Sequence, residues 1–251
     1  MTTTSDLRSD GIRVITTHAP PVNALTVQGW FDLAAALDEA SADPATKVVV
    51  LRAEGRGFNA GVDIKEMQHT EGFDALIGAN KGCFAAFKAV YECSVPVIAA
   101  VQGHCVGGGV GLVGNADIVV ASDDAYFGVP EVKQGALGAA THMARLVPQH
   151  LMRTLYFTAR TIKASELVQH GSVYAVAPRE QLDETALALA ADIAEKDTRV
   201  IRAAKEALNG IDPVDVNKSY RFEQGFTMEL NLMGVSDELR DDFAGTGKAK
   251  R

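Results

Sequence analysis

Two glycine-rich segments contain the backbone groups best placed for acyl chemistry in this sequence. GRGFNAGVDIKE (residues 55–66) and GHCVGGGVGLVG (residues 103–114) each follow an apolar stretch and lead into a predicted helix. The first N–H groups of a helix have no acceptor within it and lie at its positive end. Two such helix starts can direct two donors at one oxygen, which is the requirement for an oxyanion hole. The alternative is that the glycines only make tight turns between strand and helix.

One glutamate follows the second segment at a suitable distance. Glu131 is part of a Pro-Glu pair that comes directly after the short predicted strand AYFG (residues 125–128). A carboxyl group in a water-poor pocket has a raised pKa and can act as a general base or acid. The alternative is an ordinary surface glutamate at the end of a strand.

A dinucleotide-binding loop is a competing interpretation of the second segment. Gly109, Gly111 and Gly114 match the G-x-G-x-x-G pattern. However, the match begins several residues beyond its strand, and no acid follows about 20 residues later to bind a ribose. The sequence therefore disfavours a nicotinamide enzyme.

The order of predicted elements gives the fold class. Strands and helices alternate up to Gly138, and helices dominate afterwards, which predicts an α/β core with a helical C-terminal part. Residues 11–20 are predicted to be an edge strand that ends at two prolines. Residues 47–55 and 94–103 have the continuous apolar pattern of strands buried on both faces. Predicted strands also include 116–124 and 172–178, and predicted helices include 27–42, 72–92, 149–158, 198–209 and 213–233.

Composition limits the remaining classes of function. The chain has 251 residues, a net charge of −8 and scattered basic residues, so a nucleic-acid or anionic-membrane partner is not expected. Cys83, Cys93 and Cys105 lack C-x-x-C spacing, and no metal site is indicated. The polar N-terminus lacks an apolar signal region, which favours a cytoplasmic protein.

Together, these motifs resemble the crotonase (enoyl-CoA hydratase/isomerase) superfamily. The matching segments are PPVNAL (20–25), GRGFNAGVDIKEM (55–67), VPVIAAVQGHCVGGGVGL (95–112), the AD-I motif at 116–118, FGVPEVKQGALG (127–138) and AAKEALN (203–209). The resemblance implies a spiral core of ββα turns in residues 1–195, which carries the acyl-CoA site. It also implies a C-terminal helical region in 196–251 for trimerisation and closure of the CoA site, and therefore a homotrimer or homohexamer.

The resemblance also implies roles for individual residues. Val62 and Gly108 correspond to the two oxyanion N–H groups, and a side chain at Gly108 is expected to block them. Ala60, Asp63, Ile64 and Lys65 are expected to line the adenine and phosphate arm of CoA, with Ala24 and Leu25 as the other wall. Coenzyme A then enters as part of the thioester substrate, and no tightly bound cofactor is expected.

Family hydratases use two glutamates around one water, and this sequence retains only the second. The first position falls on Gly111 and the second on Glu131. Longer stretches resemble the ring-opening acyl-CoA hydrolases of bacterial steroid catabolism within the superfamily. That resemblance implies hydrolytic carbon–carbon cleavage of a cyclic β-diketone thioester. An enoyl-CoA isomerase or hydratase and a catalytically silent acyl-CoA-binding scaffold remain alternatives.

Four further residues are candidates for contact with the substrate. His104 begins the second glycine segment and either touches substrate or water or is a packed, hydrogen-bonded loop histidine. His142 stands where hydratases carry a glycine-rich segment, and it is a candidate to orient water or a ring carbonyl. Lys205 and Phe226 are candidates to reach CoA from the C-terminal region.

Overall fold

A computed structural model of the protein describes residues 2–70 and 72–239. The strands in this part of the chain are β1 (Thr2–Leu7), β2 (Ile12–His18), β3 (Val48–Ala53), β4 (Val97–Val101), β5 (His104–Val106), β6 (Ile118–Ser122), β7 (Tyr126–Gly128), β8 (Thr161–Lys163) and β9 (Ala175–Ala177). The α-helices there are α1 (Val27–Ala42), α2 (Ile64–His69), α3 (Asp74–Glu92), α4 (Gly108–Val113), α5 (Ala140–Met143), α6 (Gln149–Thr158), α7 (Ala164–Leu167), α8 (Leu182–Ala194), α9 (Thr198–Gly210) and α10 (Val216–Leu232).

The strands form two sheets, and successive turns of the chain contribute strands to both. The larger sheet has the order β1-β2-β3-β4-β6-β9, and the smaller has the order β5-β7-β8. Strand β4 is followed by β5, and β6 by β7, so each of these turns contributes one strand to each sheet. This alternation is the predicted spiral of ββα turns, and it brings the ends of β5 and β7 side by side in parallel.

The larger sheet is covered on both faces, as the apolar runs predicted. Along β3, Val49 and Leu51 belong to the core beneath α1 and α3. Val48 and Val50 pack on the opposite face with residues of α8. The period-2 alternation of a strand therefore divides one apolar run between two cores.

The prediction that residues 11–20 form an edge strand is wrong. Strand β2 lies between β1, which is antiparallel to it, and β3, which is parallel to it. The edge is taken by Thr2–Leu7, whose polar composition conceals a strand. Its side chains are partly or fully exposed, as is usual at a sheet edge.

The sequence DIKE (63–66) predicts a capping box, with Asp63 as the N-cap of the helix that follows and Glu66 reaching back to it. The observed caps differ from this prediction. Asp63 caps α2 by accepting a hydrogen bond from Lys65 N, as predicted. Glu66, however, accepts from Val27 N at 2.7 Å and so caps α1. This bond ties the start of α2 to the start of α1.

No helix in the described ranges is long and apolar enough to cross a membrane.

Candidate active site

The two glycine segments meet because the first pairs with β5. Asn59 forms a parallel bridge with Cys105, and Val106 N donates to Asn59 O at 2.9 Å. The backbones then approach so closely that a Cβ on Gly61 would lie 3.2 Å from Gly108 N. The fold therefore places the start of α4 beside the turn that carries Val62.

Both predicted oxyanion donors lie at this junction. Gly108 is the first residue of α4, so its N–H has no acceptor within the helix. Val62 lies between Gly61, whose carbonyl accepts from Leu25 N, and Asp63, whose N–H donates to Leu25 O. The arrangement is suited to holding one carbonyl oxygen between two backbone N–H groups.

Packing gives a further reason for glycine at residue 108, beside the predicted one. A Cβ there would stand 2.7 Å from the Trp30 ring atoms Cζ2 and Cη2. Trp30 is fully buried, and its Nε1 has no hydrogen-bond partner among the residues described. The glycine therefore allows the Trp30 indole to pack against the start of α4.

Glu131 lies against the same junction. It belongs to a short 3-10 helix, Pro130–Gln134, that follows β7, and a Cβ on Gly107 would lie 2.7 Å from Glu131 Oε1. Glu131 Oε2 is inaccessible to solvent and has no hydrogen-bond partner in the described part of the chain. Burial, with a smaller contribution from the charge of Glu223, raises the pKa of Glu131 to about 8.

An aromatic cluster borders this region. The Phe87 ring centroid lies 5.6 Å from Trp30, 5.0 Å from His142 and 5.2 Å from Tyr220. His142 is fully buried, and neither ring nitrogen has a partner among the described residues. Burial, with a smaller effect of Arg145, lowers the pKa of His142 to about 3. His142 is therefore neutral and carries one donor and one acceptor nitrogen.

This chain resembles known proteins in both sequence and fold. The sequence profile of the enoyl-CoA hydratase/isomerase family matches residues 8–232. The chain belongs to this family. A solved enoyl-CoA hydratase/isomerase from Xanthobacter autotrophicus Py2 has the same fold, with a TM-score of 0.87, 26% identity and coverage of 98% of this chain and 93% of that one. The predicted family and fold class are thus confirmed.

Two relatives with a much higher sequence identity to this chain share one specific name, (7aS)-7a-methyl-1,5-dioxo-2,3,5,6,7,7a-hexahydro-1H-indene-carboxyl-CoA hydrolase. The relative from Rhodococcus jostii (strain RHA1) is 67% identical over 247 residues, which cover 98% of this chain and 96% of the relative. The relative from Mycobacterium tuberculosis (strain ATCC 25618 / H37Rv) is 68% identical over 243 residues, which cover 97% and 98%.

The sequence prediction assigns the position of the first hydratase glutamate to Gly111. A Cβ on Gly111 would lie 2.2 Å from Phe87 Cζ. The buried Phe87 ring therefore occupies the space into which any side chain at residue 111 would extend. An apolar ring, and not a second carboxyl, lies beside this glycine.

The residues predicted to bind CoA lie together on two hydrogen-bonded segments. Leu25 pairs with Val62, and Ala60 N donates to Asn23 O at 3.2 Å. Leu25 is fully buried, whereas Lys65 is exposed. Ala24, Asp63 and Ile64 are partly exposed beside them. The backbone of Leu25 therefore shapes the predicted wall, and its side chain belongs to the core.

His104 and Lys205 both make contacts within the protein. His104 Nε2 lies 2.8 Å from Val22 O, which fits the alternative of a packed loop histidine. Lys205 is buried and forms an ion pair with Asp117 at 2.7 Å. This pair is evidence against a contact between Lys205 and CoA. Phe226 is half-exposed and packs edge-on against Phe222.

A separate groove of about 630 Å³ lies between α3 and the segment that joins α9 to α10. Tyr91, Asp212 and Arg221 are among its lining residues, and Glu131 is not. Proximity to the converging glycine segments, rather than cavity size, therefore identifies the candidate site.

Sequence reasoning gave no specific role to two residues of this region. Phe87 belongs to the predicted helix 72–92, and only the folded structure shows that it lies against Gly111. Glu223 was not singled out, although it is buried and lies on α10 close enough to influence Glu131. Its sequence signal is a four-residue spacing of polar side chains on α10.

Proposed function

We propose that this protein is an acyl-CoA hydrolase that opens the ring of a cyclic β-diketone thioester by retro-Claisen cleavage. The proposed substrate is the methyl-dioxo-hexahydroindene carboxyl-CoA in the names of its two similar relatives, a remnant of the steroid nucleus. One observation carries the mechanistic part of the proposal. Glu131, whose Oε2 has no hydrogen-bond partner in the described part of the chain, stands beside the converging loops, while the Phe87 ring lies against Gly111.

The thioester carbonyl is held first. Val62 N–H and Gly108 N–H donate to its oxygen, and the CoA arm follows the segments around Ala24 and Ala60. Because the acyl group is attached to this carbonyl, the same two donors stabilise negative charge that is delocalised onto it.

Glu131 then activates a water molecule. The ionised carboxylate takes a proton from water, and the oxygen of the water forms a bond to the ketone carbon of the five-membered ring. The pKa of about 8 makes Glu131 a stronger base than an exposed glutamate once it has ionised. The ketone becomes a tetrahedral oxyanion.

His142 is proposed to donate a hydrogen bond to a ring carbonyl. Its ring is neutral and buried, and its nitrogens lack partners within the described residues. An N–H that has no protein acceptor stabilises an oxygen that gains charge more than it stabilises a neutral ketone.

Collapse of the tetrahedral intermediate breaks the bond between the former ketone carbon and its ring neighbour. The electron pair moves onto the neighbouring carbon and delocalises towards the conjugated carbonyls as an enolate. The protonated Glu131 returns its proton to this carbon framework. One water is consumed, one carboxylic acid is formed, and Glu131 is regenerated.

The proposed working form is a cytoplasmic homotrimer or homohexamer. Residues 196–251 are proposed to contribute to its interface and to closure of the site. In α9, α10 and the turns that follow them, Val200, Leu208, Ile211, Phe222, Leu232 and Met233 are each more than 60% exposed. Such apolar exposure at one end of a chain supports association.

Product analysis by mass spectrometry tests the reaction. Purified protein is incubated in ¹⁸O-water with the cyclic β-diketone thioester or with a short trans-2-enoyl-CoA. Label in a new carboxylate of an opened ring, with the enoyl-CoA unchanged, is the expected result. A labelled 3-hydroxyacyl product or a shifted alkene would replace the proposal with hydratase or isomerase chemistry. Binding of both thioesters without turnover would indicate a scaffold.

A further inference from the structure

Helix α10 carries a polar stripe on the face that it turns towards the rest of the chain. Ser219, Glu223 and Thr227 are four residues apart, so they lie on one side of the helix. Glu223 and Thr227 are buried, at 9% and 4% exposure. Buried polar side chains require hydrogen-bond partners, and these three find them in one segment.

That segment is residues 135–141, which consist of the loop after the Glu131 helix and the first two residues of α5. Thr141 Oγ1 lies 2.9 Å from Ser219 Oγ. At the other end of the loop, Leu137 N donates to Thr227 Oγ1 at 3.0 Å, and Thr227 Oγ1 donates to Leu137 O at 2.6 Å. The stripe therefore runs along the loop and fixes it at both ends.

Glu223 occupies the centre of the stripe and accepts three hydrogen bonds. Ala140 N donates to its Oε1 at 3.0 Å, and Thr141 N donates to its Oε2 at 3.3 Å. Tyr156 OH also donates to Oε1, at 3.2 Å. A buried carboxylate with three donors is a specific anchor, because its removal would leave these three donors without the acceptor that they now share.

The anchored loop lies against the proposed base. Gly138 N donates to Tyr156 Oη at 3.2 Å. A Cβ on Gly138 would lie 3.6 Å from Glu131 Oε1. A continuous set of contacts thus runs from Glu223 through Tyr156 and Gly138 to the carboxyl of Glu131.

We propose that Glu223 is a positioning residue that holds residues 138–141 against Glu131 and places a second acidic charge near it. The inference rests on the proposed role of Glu131 as the base. A side chain from the C-terminal helix of the same chain thereby takes part in preparing the site.

The pH dependence of Glu131 follows from the groups around it. These are Cys83 on α3, Tyr156 on α6, and Tyr220 and Glu223 on α10, while the exposed Lys133 shares its helix. Burial raises the pKa of Cys83, Tyr156 and Tyr220 further above neutral, so all three stay uncharged. Burial also raises the pKa of Glu223. Once Glu223 is ionised, it is the group among these neighbours whose charge raises the pKa of Glu131. Removing that charge shifts ionisation of Glu131 to lower pH.

Three variants test the inference. Glu223→Gln removes the charge but keeps one carbonyl acceptor, and Tyr156→Phe removes the hydroxyl but keeps the charge. Glu229→Gln is the matched control, because Glu229 is an exposed glutamate on the same helix. Thermal unfolding of each variant verifies that it folds.

Two readouts are measured across pH. The first is the infrared carbonyl band of protonated Glu131, assigned by its loss in Glu131→Gln, which needs no substrate. The second is kcat/KM for the cyclic thioester. Glu223→Gln is expected to shift both midpoints to lower pH and to lower kcat about 10-fold or more, as expected for a misplaced base. Tyr156→Phe is expected to lower kcat without moving either midpoint to lower pH. Glu229→Gln is expected to behave as wild type in both readouts.

Unchanged infrared and kinetic midpoints in folded Glu223→Gln would overturn the inference. A matching shift in Glu229→Gln would also overturn it, because any charge on α10 would then have the same effect. A protein that hydrolyses neither thioester but shows the infrared shift in Glu223→Gln alone would retain the inference and lose the proposed reaction.

Discussion

Glu131 is a carboxylic acid that its surroundings keep protonated at neutral pH. Burial raises its pKa to about 8, whereas a glutamate in an unfolded chain has a pKa of about 4.3. Below the unfolded pKa, both states are protonated and folding carries no penalty. As pH rises from there through 8, the unfolded chain releases a proton that the folded protein retains, so the free energy of unfolding falls.

Glu131→Gln is therefore expected to gain stability while it loses activity. Turnover should fall by about 10²–10⁴-fold, as expected when a general base is removed. Above pH 8, the free energy of unfolding should exceed that of wild type by at least about 2 kcal/mol, and the difference should vanish towards pH 4. Denaturation across pH and steady-state kinetics measure the two effects. A variant with full turnover would show that Glu131 is not the base.

Gly111→Glu is expected not to restore a hydratase. The new Cβ would overlap the Phe87 ring, which lies in a packed core, so we expect a loss of about 1–3 kcal/mol in stability. Enoyl-CoA hydration and thermal unfolding provide the measurements. The double variant Phe87→Ala/Gly111→Glu is the matched control. It removes the ring and therefore tests whether lack of space is what prevents hydration. Hydration by the single variant would mean that Phe87 does not occupy the site of the missing acid.

Single residues differ in how far the sequence could identify them. A local motif, whose members are close in sequence, was enough to single out Gly108 and Glu131 as candidates. No such motif marks Glu223, because a glutamate in an amphipathic helix usually faces solvent and its partners lie 67 to 83 residues earlier. The helical spacing of Ser219, Glu223 and Thr227 shows that they share a face, and only the fold shows that this face is buried.

At the level of elements, the packing at the start of α4 depends on a side chain of α1. The Trp30 ring packs where a side chain on Gly108 would begin. Sequence predicted α1 with its observed bounds, Val27–Ala42, because its apolar residues have clear helical spacing. Which face meets α4 depends on tertiary packing, which no local pattern specifies.

Gly108→Ala is expected to displace Trp30 and lower stability by about 1–3 kcal/mol, the usual effect of overpacking. Its turnover should fall too, because the oxyanion N–H moves with the helix start. Trp30→Leu in the same background should recover part of the stability. Unfolding midpoints and kcat for the single and double variants measure this coupling. Full wild-type stability in Gly108→Ala would contradict the packing argument.

Elements without an apolar pattern were the ones that sequence reasoning missed. Strand β1 is polar because it forms an edge, and β8 has only three residues, Thr161–Lys163. Glu66 was assigned to the cap of its own helix but caps α1, because the two helix starts lie side by side. Long buried strands such as β3 were predicted correctly since burial on both faces leaves a continuous apolar run.

At the scale of the whole molecule, the exposed apolar residues of the C-terminal region predict self-association. Phe222 is 73% exposed on α10 and packs against the half-exposed Phe226. Phe222→Glu is expected to weaken the oligomer and lower its mass in light scattering. Phe157→Glu, which changes a 70% exposed phenylalanine on α6, is the comparison variant. An unchanged mass for Phe222→Glu would place the interface elsewhere.

The attachment of α10 to residues 135–141 also bears on synthesis of the protein. A ribosome adds residues from the N-terminus, so both glycine segments and Glu131 emerge long before Glu223 and Thr227. A nascent chain can therefore form both sheets and bring Val62 and Gly108 together before α10 is present. At that stage residues 135–141, which lie beside Glu131, are still without their anchor. Helix α10, which is made after all of these parts, then completes the candidate site. Cleavage between α9 and α10 would remove the covalent attachment of the Glu223 anchor, and it would also separate Tyr220 from the core to which it belongs.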